Sequence, residues 1–300
     1  MSENLEPTKN SLELKQILFA TDFLESSRLA LDYAVAFSHR FGAALTIAHS
    51  FELPYEAEEA EIISHKPSVS RTSALTRLEA FASGVRRLAI DVRIDLLEGE
   101  PCAAILKAAA EHRYGLLVLG THGVYRGLRH HALGSNAEKM LLSAPCPTLT
   151  VGRHVMAGID LELRFSDLLV VSNLSLQGVN TAAYAWDLAQ ALRVAVDIVH
   201  VETSNRALDP DRCERLAAAF SDLQLINPAS VDGRWCLPQY HQERIVAAED
   251  IIRKAEGFSS GLIVSGVHPA SRINRHLHAS FAFELAARAS CPLLSMPSNE

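Results

Sequence analysis

The sequence predicts an α/β chain made of two tandem, doubly wound parallel sheets with helices on both faces. Three observations carry this. Short apolar runs alternate with helix-length amphipathic segments, the pattern of parallel β-α-β units. The alternation is written twice, because residues 15–50 match residues 166–201 at a constant offset of 151. Ile17 meets Leu168, Thr21 meets Ser172, Asp22 meets Asn173 and His49 meets His200. The ends of the halves also agree: GLLVLGT at 115–121 with GLIVSGV at 261–267, and PCPTLTV at 145–151 with SCPLLSM at 290–296. A period near 150 residues is too long for a solenoid and marks a duplicated domain. The expected division is 1–152, a joint at 153–165, and 166–300.

Each element has its own signal. Ile17–Ala20 is a short buried strand that stops at polar Thr21 and Asp22. Ala30, Ala34, Phe37 and Phe41 recur on one face of a helix over 27–41, with Ser26 or Ser27 as its cap and Gly42 as its stop. Leu45–Ala48 reads as the second strand. Residues 52–67, acidic and holding Pro54 and Pro67, read as a long loop, and 70–90 as a helix. Val92–Leu97 is the third strand, ended by Glu98-Gly99-Glu100-Pro101; 102–113 is an Ala-rich helix. Leu116–Leu119, a helix at 135–143 and Thr148–Val151 complete the half. In the second half, strands are expected near 168–171, 195–201, 233–237, 262–265 and 293–296.

Composition narrows the function classes. With 28 Lys and Arg against 35 Asp and Glu, the net charge of −7 argues against a general nucleic-acid binder. No apolar run approaches a membrane span and the start of the chain lacks a leader pattern, so the expected compartment is the cytoplasm. Cys102, Cys146, Cys213, Cys236 and Cys291 are odd in number and widely spaced, as in a reducing compartment. Cys146 and Cys291 read as small buried hydrophobes. His130-His131 and His276-x-His278 lack partnering Cys or carboxylates at ligand spacing, so no metal site is assigned.

In an open α/β sheet, ligands bind beyond the carboxyl ends of the strands where strand order reverses. Thr21-Asp22 follows the first strand. GTHGVYRGLRHHALGSN, residues 120–136, follows the fourth. Gly120, Gly123, Gly127 and Gly134 let backbone amides approach an anion, and Ser135 and Asn136 open a helix whose N-terminus favours one. Residues 116–137 hold no Asp or Glu but carry His122, Arg126, Arg129, His130 and His131. This is neither the P-loop G-x-x-x-x-G-K-[ST] nor G-x-G-x-x-G. Glycine-rich loops are common, and these residues alone leave a phosphate site and plain loop punctuation both open.

The same stretch resembles the nucleotide motif of the universal stress protein family, G-x-x-G, nine residues, then G-[ST]. ILFATDFLESSRLALDYA and SAPCPTLTV resemble that family's opening and closing segments, so the chain is similar to a tandem universal stress protein. The resemblance implies a five-stranded order of 3-2-1-4-5 and an adenine nucleotide, ATP or a relative, between strands one and four. It implies that Ala20, Thr21 and Asp22 line the adenosine end, with Asp22 on the ribose, and that the Ser50 backbone meets adenine. Gly120, His122 and Gly123 would wrap the phosphates, and Gly134, Ser135 and Asn136 would hold them. Here ten residues, Val124 to Leu133, separate Gly123 from Gly134, one more than the family pattern. In the second half Asn173 replaces Asp22, Pro269 replaces Gly123, and Ala279 or Ser280 replaces Gly134, so that copy reads as degenerate.

The resulting expectation is a ligand-responsive stress-tolerance or signalling module with one nucleotide site. No general base stands beside a positioned nucleophile, and no catalytic residue is assigned. Asp22 is placed to hold a ribose or, through phosphate, a Mg²⁺, which leaves slow ATP hydrolysis open. Expected partners are the nucleotide, the pairing of the two halves, and a second copy or another protein; nucleic acid and membrane are not expected. The alternative is an interaction scaffold of the same fold that binds no nucleotide.

Overall fold

The computed structural model describes residues 12, 14–52, 71–121, 134–155, 159, 161–163, 165–172, 176–201, 230–231, 234–235, 239–245, 247–257, 261–266 and 275–297. The first half runs β1 (Gln16–Ala20), α1 (Glu25–Phe41), β2 (Ala44–Phe51), α2 (Arg71–Arg86), β3 (Val92–Glu98), α3 (Pro101–Glu111), β4 (Leu116–Gly120), α4 (Ser135–Ser143) and β5 (Thr148–Val151). The second runs β6 (Asp167–Ser172), α5 (Leu176–Leu192), β7 (Ala195–Val201), β8 (Ser230–Val231), β9 (Arg234–Trp235), β10 (Gln239–Ile245), α6 (Ala248–Gly257), β11 (Leu262–Gly266), α7 (Arg275–Arg288) and β12 (Leu293–Met296).

Strand order β3-β2-β1-β4-β5 matches the order expected for the first half. Two separate sheets were expected, and the structure corrects this. β5 pairs antiparallel with β12, so ten strands form one sheet, β10-β7-β6-β11-β12-β5-β4-β1-β2-β3. β5 and β12 would otherwise each leave a row of unpaired backbone groups at an edge; joining them satisfies both rows at once.

One register row crosses eight of these strands: Ile198, Val170, Val264, Leu294, Leu149, Val118, Phe19 and Ile47. All are buried on the face covered by α1, α2 and α5. Their chain neighbours, such as Leu18, Leu117, Leu169, Ile263 and Leu293, point to the other face, under α3, α4, α6 and α7. Strands apolar on both faces are what a sheet covered on both sides requires.

The joining strands meet symmetrically. Leu149 faces Leu294, with Thr148 opposite Ser295 and Thr150 opposite Leu293. Thr150 Oγ1 donates to the Leu293 carbonyl at 3.2 Å, and Ser295 Oγ donates to the Thr148 carbonyl at 3.0 Å. The Arg40 guanidinium donates to the carbonyl of Ala191, 151 residues further on. That spacing is the repeat offset, so equivalent positions of the two halves touch, as across a two-fold axis. Gly152 is required here, because a Cβ would lie 2.7 Å from the Ala286 carbonyl oxygen. Phe165 is buried and stacks on Tyr33, and His39 Nδ1 contacts the Leu161 carbonyl at 3.3 Å, so the joint packs against α1. Burial pushes the Cys146 and Cys291 thiols up to about 12, as suits inert apolar fillers.

Most expected elements fall within a few residues of their observed bounds. One is displaced: within 233–237 stands β9, which pairs antiparallel with β8 in a separate two-stranded sheet, and the second half's third strand in the main sheet is β10 at 239–245. The 233–237 segment includes the apolar run Trp235-Cys236-Leu237. An edge strand paired on one side only, to β7, does not need that hydrophobicity and is written QYHQERI. Most of the expected loop at 52–67 lies outside the described residues. No helix among the described residues is long and apolar enough to cross a membrane.

Candidate functional site

The turn after β1 is built by its own side chains. Thr21 Oγ1 accepts the Phe23 amide at 2.9 Å. Asp22 Oδ1 accepts the Leu24 amide at 3.0 Å and the Ser27 hydroxyl at 2.5 Å. These bonds hold Phe23 at φ +64°, a left-handed conformation that costs a non-glycine residue about 1–3 kcal/mol. The helix cap is therefore not Ser26 or Ser27, as the sequence suggested. It is Leu24, with no side-chain bond, because the Asp22 carboxylate takes up the Leu24 amide and the chain enters α1 earlier. Asp22 is exposed, and among the described residues both of its side-chain bonds fall on Oδ1.

His49 closes this turn from β2. Its Nδ1 lies 2.7 Å from the Thr21 carbonyl, and a carbonyl only accepts, so Nδ1 carries the hydrogen. The His49 and Phe23 rings are 4.3 Å apart, and the Arg77 guanidinium of α2 sits over the same Phe23 ring, 4.4 Å from its centroid. Burial, reinforced by Arg77, holds the His49 pKa below the ordinary histidine value, against the Thr21 bond and the Asp22 charge. The unfolded chain then binds the proton more readily. The stability from neutral His49 is present above about pH 6.5 and is lost as pH falls through the lower folded value. Urea midpoints between pH 7.5 and 5 should fall more for the parent than for His49→Asn, which cannot titrate; parallel curves would refute the shift.

Backbone contacts bring the remaining pieces to the same end of the sheet. At Gly120 a Cβ would meet the Ser26 carbonyl oxygen at 2.8 Å and the Ser27 nitrogen at 3.2 Å, so glycine lets the start of α1 close onto the end of β4. Thr121, fully buried, donates its amide to Val151 and accepts the Gly134 amide at 2.9 Å. Gly134 caps α4 without a side chain, and the Ser135 and Asn136 amides belong to the first turn, where no helical acceptor exists. On β2, Ala48 O accepts the Thr21 amide; Ser50, two residues on, presents its backbone to the same side past the last β1 pair.

Ala20, Thr21, Asp22, Ser50, Gly120, Gly134, Ser135 and Asn136 are thus gathered at the carboxyl ends of β1, β2 and β4. His122, Gly123, the longer spacer and its basic residues lie outside the described residues. Sequence reasoning missed His49, whose signal was its match to His200, and Ser27, assigned only as a cap. It also stopped one residue short of Glu138, in the first turn of α4, whose carboxyl is raised by burial. In the second half, Gly266 ends β11 as Gly120 ends β4. Asn173 and Pro269 are outside the described residues. There α7 begins at Arg275, so Ala279 and Ser280 lie inside a helix and not at its free N-terminus.

The chain is similar to known proteins of one family. The universal stress protein family model matches residues 13–152. A universal stress protein of Thermus aquaticus is 31% identical over 137 residues, spanning 46% of this chain and 98% of that protein. One from Methanocaldococcus jannaschii is 29% identical over 143 residues, spanning 46% of this chain and 81% of that protein. The crystal structure of a universal stress protein from Archaeoglobus fulgidus shares the fold across both halves, with a TM-score of 0.70, 18% identity, and coverage of 95% of this chain and 99% of that one. With a family match over the same half that carries the Asp22 turn and the Gly134 helix start, the chain belongs to the universal stress protein family.

Proposed function

We propose that residues 1–152 form a domain that binds one adenine nucleotide, ATP or a close relative, between the ends of β1 and β4. Residues 166–300, joined through 153–165, are a second and degenerate domain of the same family, and the chain is a ligand-responsive stress module in the cytoplasm. The observation that carries this is the Asp22 carboxylate. One oxygen of this exposed residue is anchored by Leu24 and Ser27, at the sheet end where the first-turn amides of α4 have no acceptor within their own helix. A ribose diol needs such an acceptor, and a phosphate needs such donors.

In this reading Ala20 and Thr21 line the adenosine, the Ser50 backbone meets the base, and Gly120, His122 and Gly123 surround the phosphates. Gly134, Ser135 and Asn136 hold their far end. Among the described residues no group of three His, Cys, Asp or Glu could hold a metal by itself, and a Mg²⁺ would arrive on the phosphates with Asp22 as a carboxylate within the same site. The second half lacks a matching helix start at Ala279, which supports a single site.

Calorimetry with ATP should give one site per chain. Asp22→Asn should weaken binding about tenfold, about 1.4 kcal/mol, because it removes the charge while keeping the Oδ1 turn. ATP should raise the melting temperature of the parent more than that of Asp22→Asn. The continuous β5–β12 pairing supports the second reading, a scaffold whose halves pair and bind nothing. Absence of any ATP effect on either protein would select it.

A further inference from the structure

We infer that His49 is a positioning residue: it holds the Thr21-Asp22-Phe23 turn in the one shape that presents the Asp22 carboxylate to a ligand. The ligand half of this inference rests on the nucleotide reading; the geometry does not. The turn is strained at Phe23, and elements outside it can share with its own Thr21 and Asp22 bonds the work of holding it. Two elements do. From β2, the His49 Nδ1–H donates to the Thr21 carbonyl at 2.7 Å while its ring packs on Phe23. From α2, Arg77 Nη2 donates to the Phe23 carbonyl at 3.2 Å and Phe81 meets the Phe23 ring edge-on at 5.8 Å.

The two clamps differ in what they fix. Arg77 and Phe81 hold Phe23, which follows the carboxylate. His49 holds the carbonyl of Thr21, the peptide unit that leads directly into Asp22. The Thr21 amide is already tied to Ala48 O at 2.9 Å, so His49 secures the other side of the same residue from the next position of the same strand. With both fixed, and the Asp22 amide donating to Ser27 Oγ at 3.4 Å, the peptide unit before Asp22 is held at both its carbonyl and its amide, and Asp22 Oδ1 stays within reach of Leu24 and Ser27. Asp22 and Arg77 are the charged groups facing the imidazole. The Nδ1–H is present in both the neutral and the protonated ring, so the clamp itself does not depend on pH.

The test uses the full chain and two readouts. His49→Leu keeps apolar bulk against Phe23 and removes the donor. His49→Asn places an amide N–H where Nδ1–H stands. In the absence of ligand, the Phe23 and Leu24 amides should exchange about tenfold faster in His49→Leu, with Leu18 and Phe19 unchanged, and within about threefold of the parent in His49→Asn. ATP affinity should follow the same order, about tenfold weaker for Leu and threefold or less for Asn. Unchanged exchange in His49→Leu, or equal behaviour of Leu and Asn, would overturn the inference. If the parent takes up no ATP while the exchange pattern holds, the nucleotide reading fails and the positioning role stands. Should His49→Leu not fold, His49→Gln replaces it. Its donor is displaced by one methylene, and it should lose protection that Asn keeps; equal protection in Gln and Asn refutes the role.

Discussion

Leu149→Ala is expected to destabilise the protein by about 2–5 kcal/mol and to do so for both halves together. Leu149 is fully buried and stands in the row of side chains between Val118 and Leu294, at the pairing of β5 with β12. Its backbone is hydrogen-bonded on both sides, so the sheet cannot close around the missing methyl groups, and most of the cavity remains. Because Leu294 on the other half loses the same contacts, urea should give one transition at lower midpoint by both tryptophan fluorescence, from Trp186 and Trp235, and far-UV ellipticity. A loss under 1 kcal/mol, or a second transition that leaves one half at its parental stability, would show that the two halves are not coupled through this row.

Gly120→Val is expected to cost about 3 kcal/mol and to abolish measurable nucleotide binding. The first added carbon would lie 2.8 Å from the Ser26 carbonyl oxygen, 2.9 Å from its carbon and 3.2 Å from the Ser27 nitrogen. All three are backbone atoms, and no rotamer change relieves them. The start of α1 must retreat from β4, carrying Ser27 away from Asp22 and separating the two sides of the proposed site. Gly84→Ala, in α2, is the control: its added carbon meets nothing within 4 Å, and replacing a helical glycine should stabilise by about 0.4–1 kcal/mol. If Gly120→Val melts like the parent, the close approach of α1 to β4 is not required. If it is destabilised but binds ATP normally, the site does not depend on that approach.

The parts of the site legible in the sequence were those whose chemistry is local. Asp22 after an apolar strand and Gly134-Ser135 before a helix could be found because strand ends and helix starts are written in contiguous residues. Ser27 and His49 could not be placed that way. Ser27 has the composition of a cap, and only the left-handed turn at Phe23 converts it into a partner of Asp22. His49 acts through a residue 28 positions earlier, a distance that the β1–β2 pairing closes and no local pattern reveals. Gly120 read as a phosphate-loop glycine; its observed constraint is the backbone of Ser26, which only packing brings there.

The sequence by itself determined the alternation of strands and helices, the repeat at 151 residues, the first-half strand bounds to within a few residues and the end of the sheet where the candidate residues gather. These follow from hydrophobic period and turn chemistry, which act over a few residues and leave a direct trace in composition. Only the tertiary structure decided that the halves share one ten-stranded sheet, that β10 and not the apolar run before it forms the far edge, and that α7 starts too early to copy the Gly134 helix end. The first two of those outcomes are set by which backbone edges remain to be paired once the strands are packed. Edge pairing is made by N–H and C=O groups that every residue carries alike, so it leaves little mark on the choice of side chains.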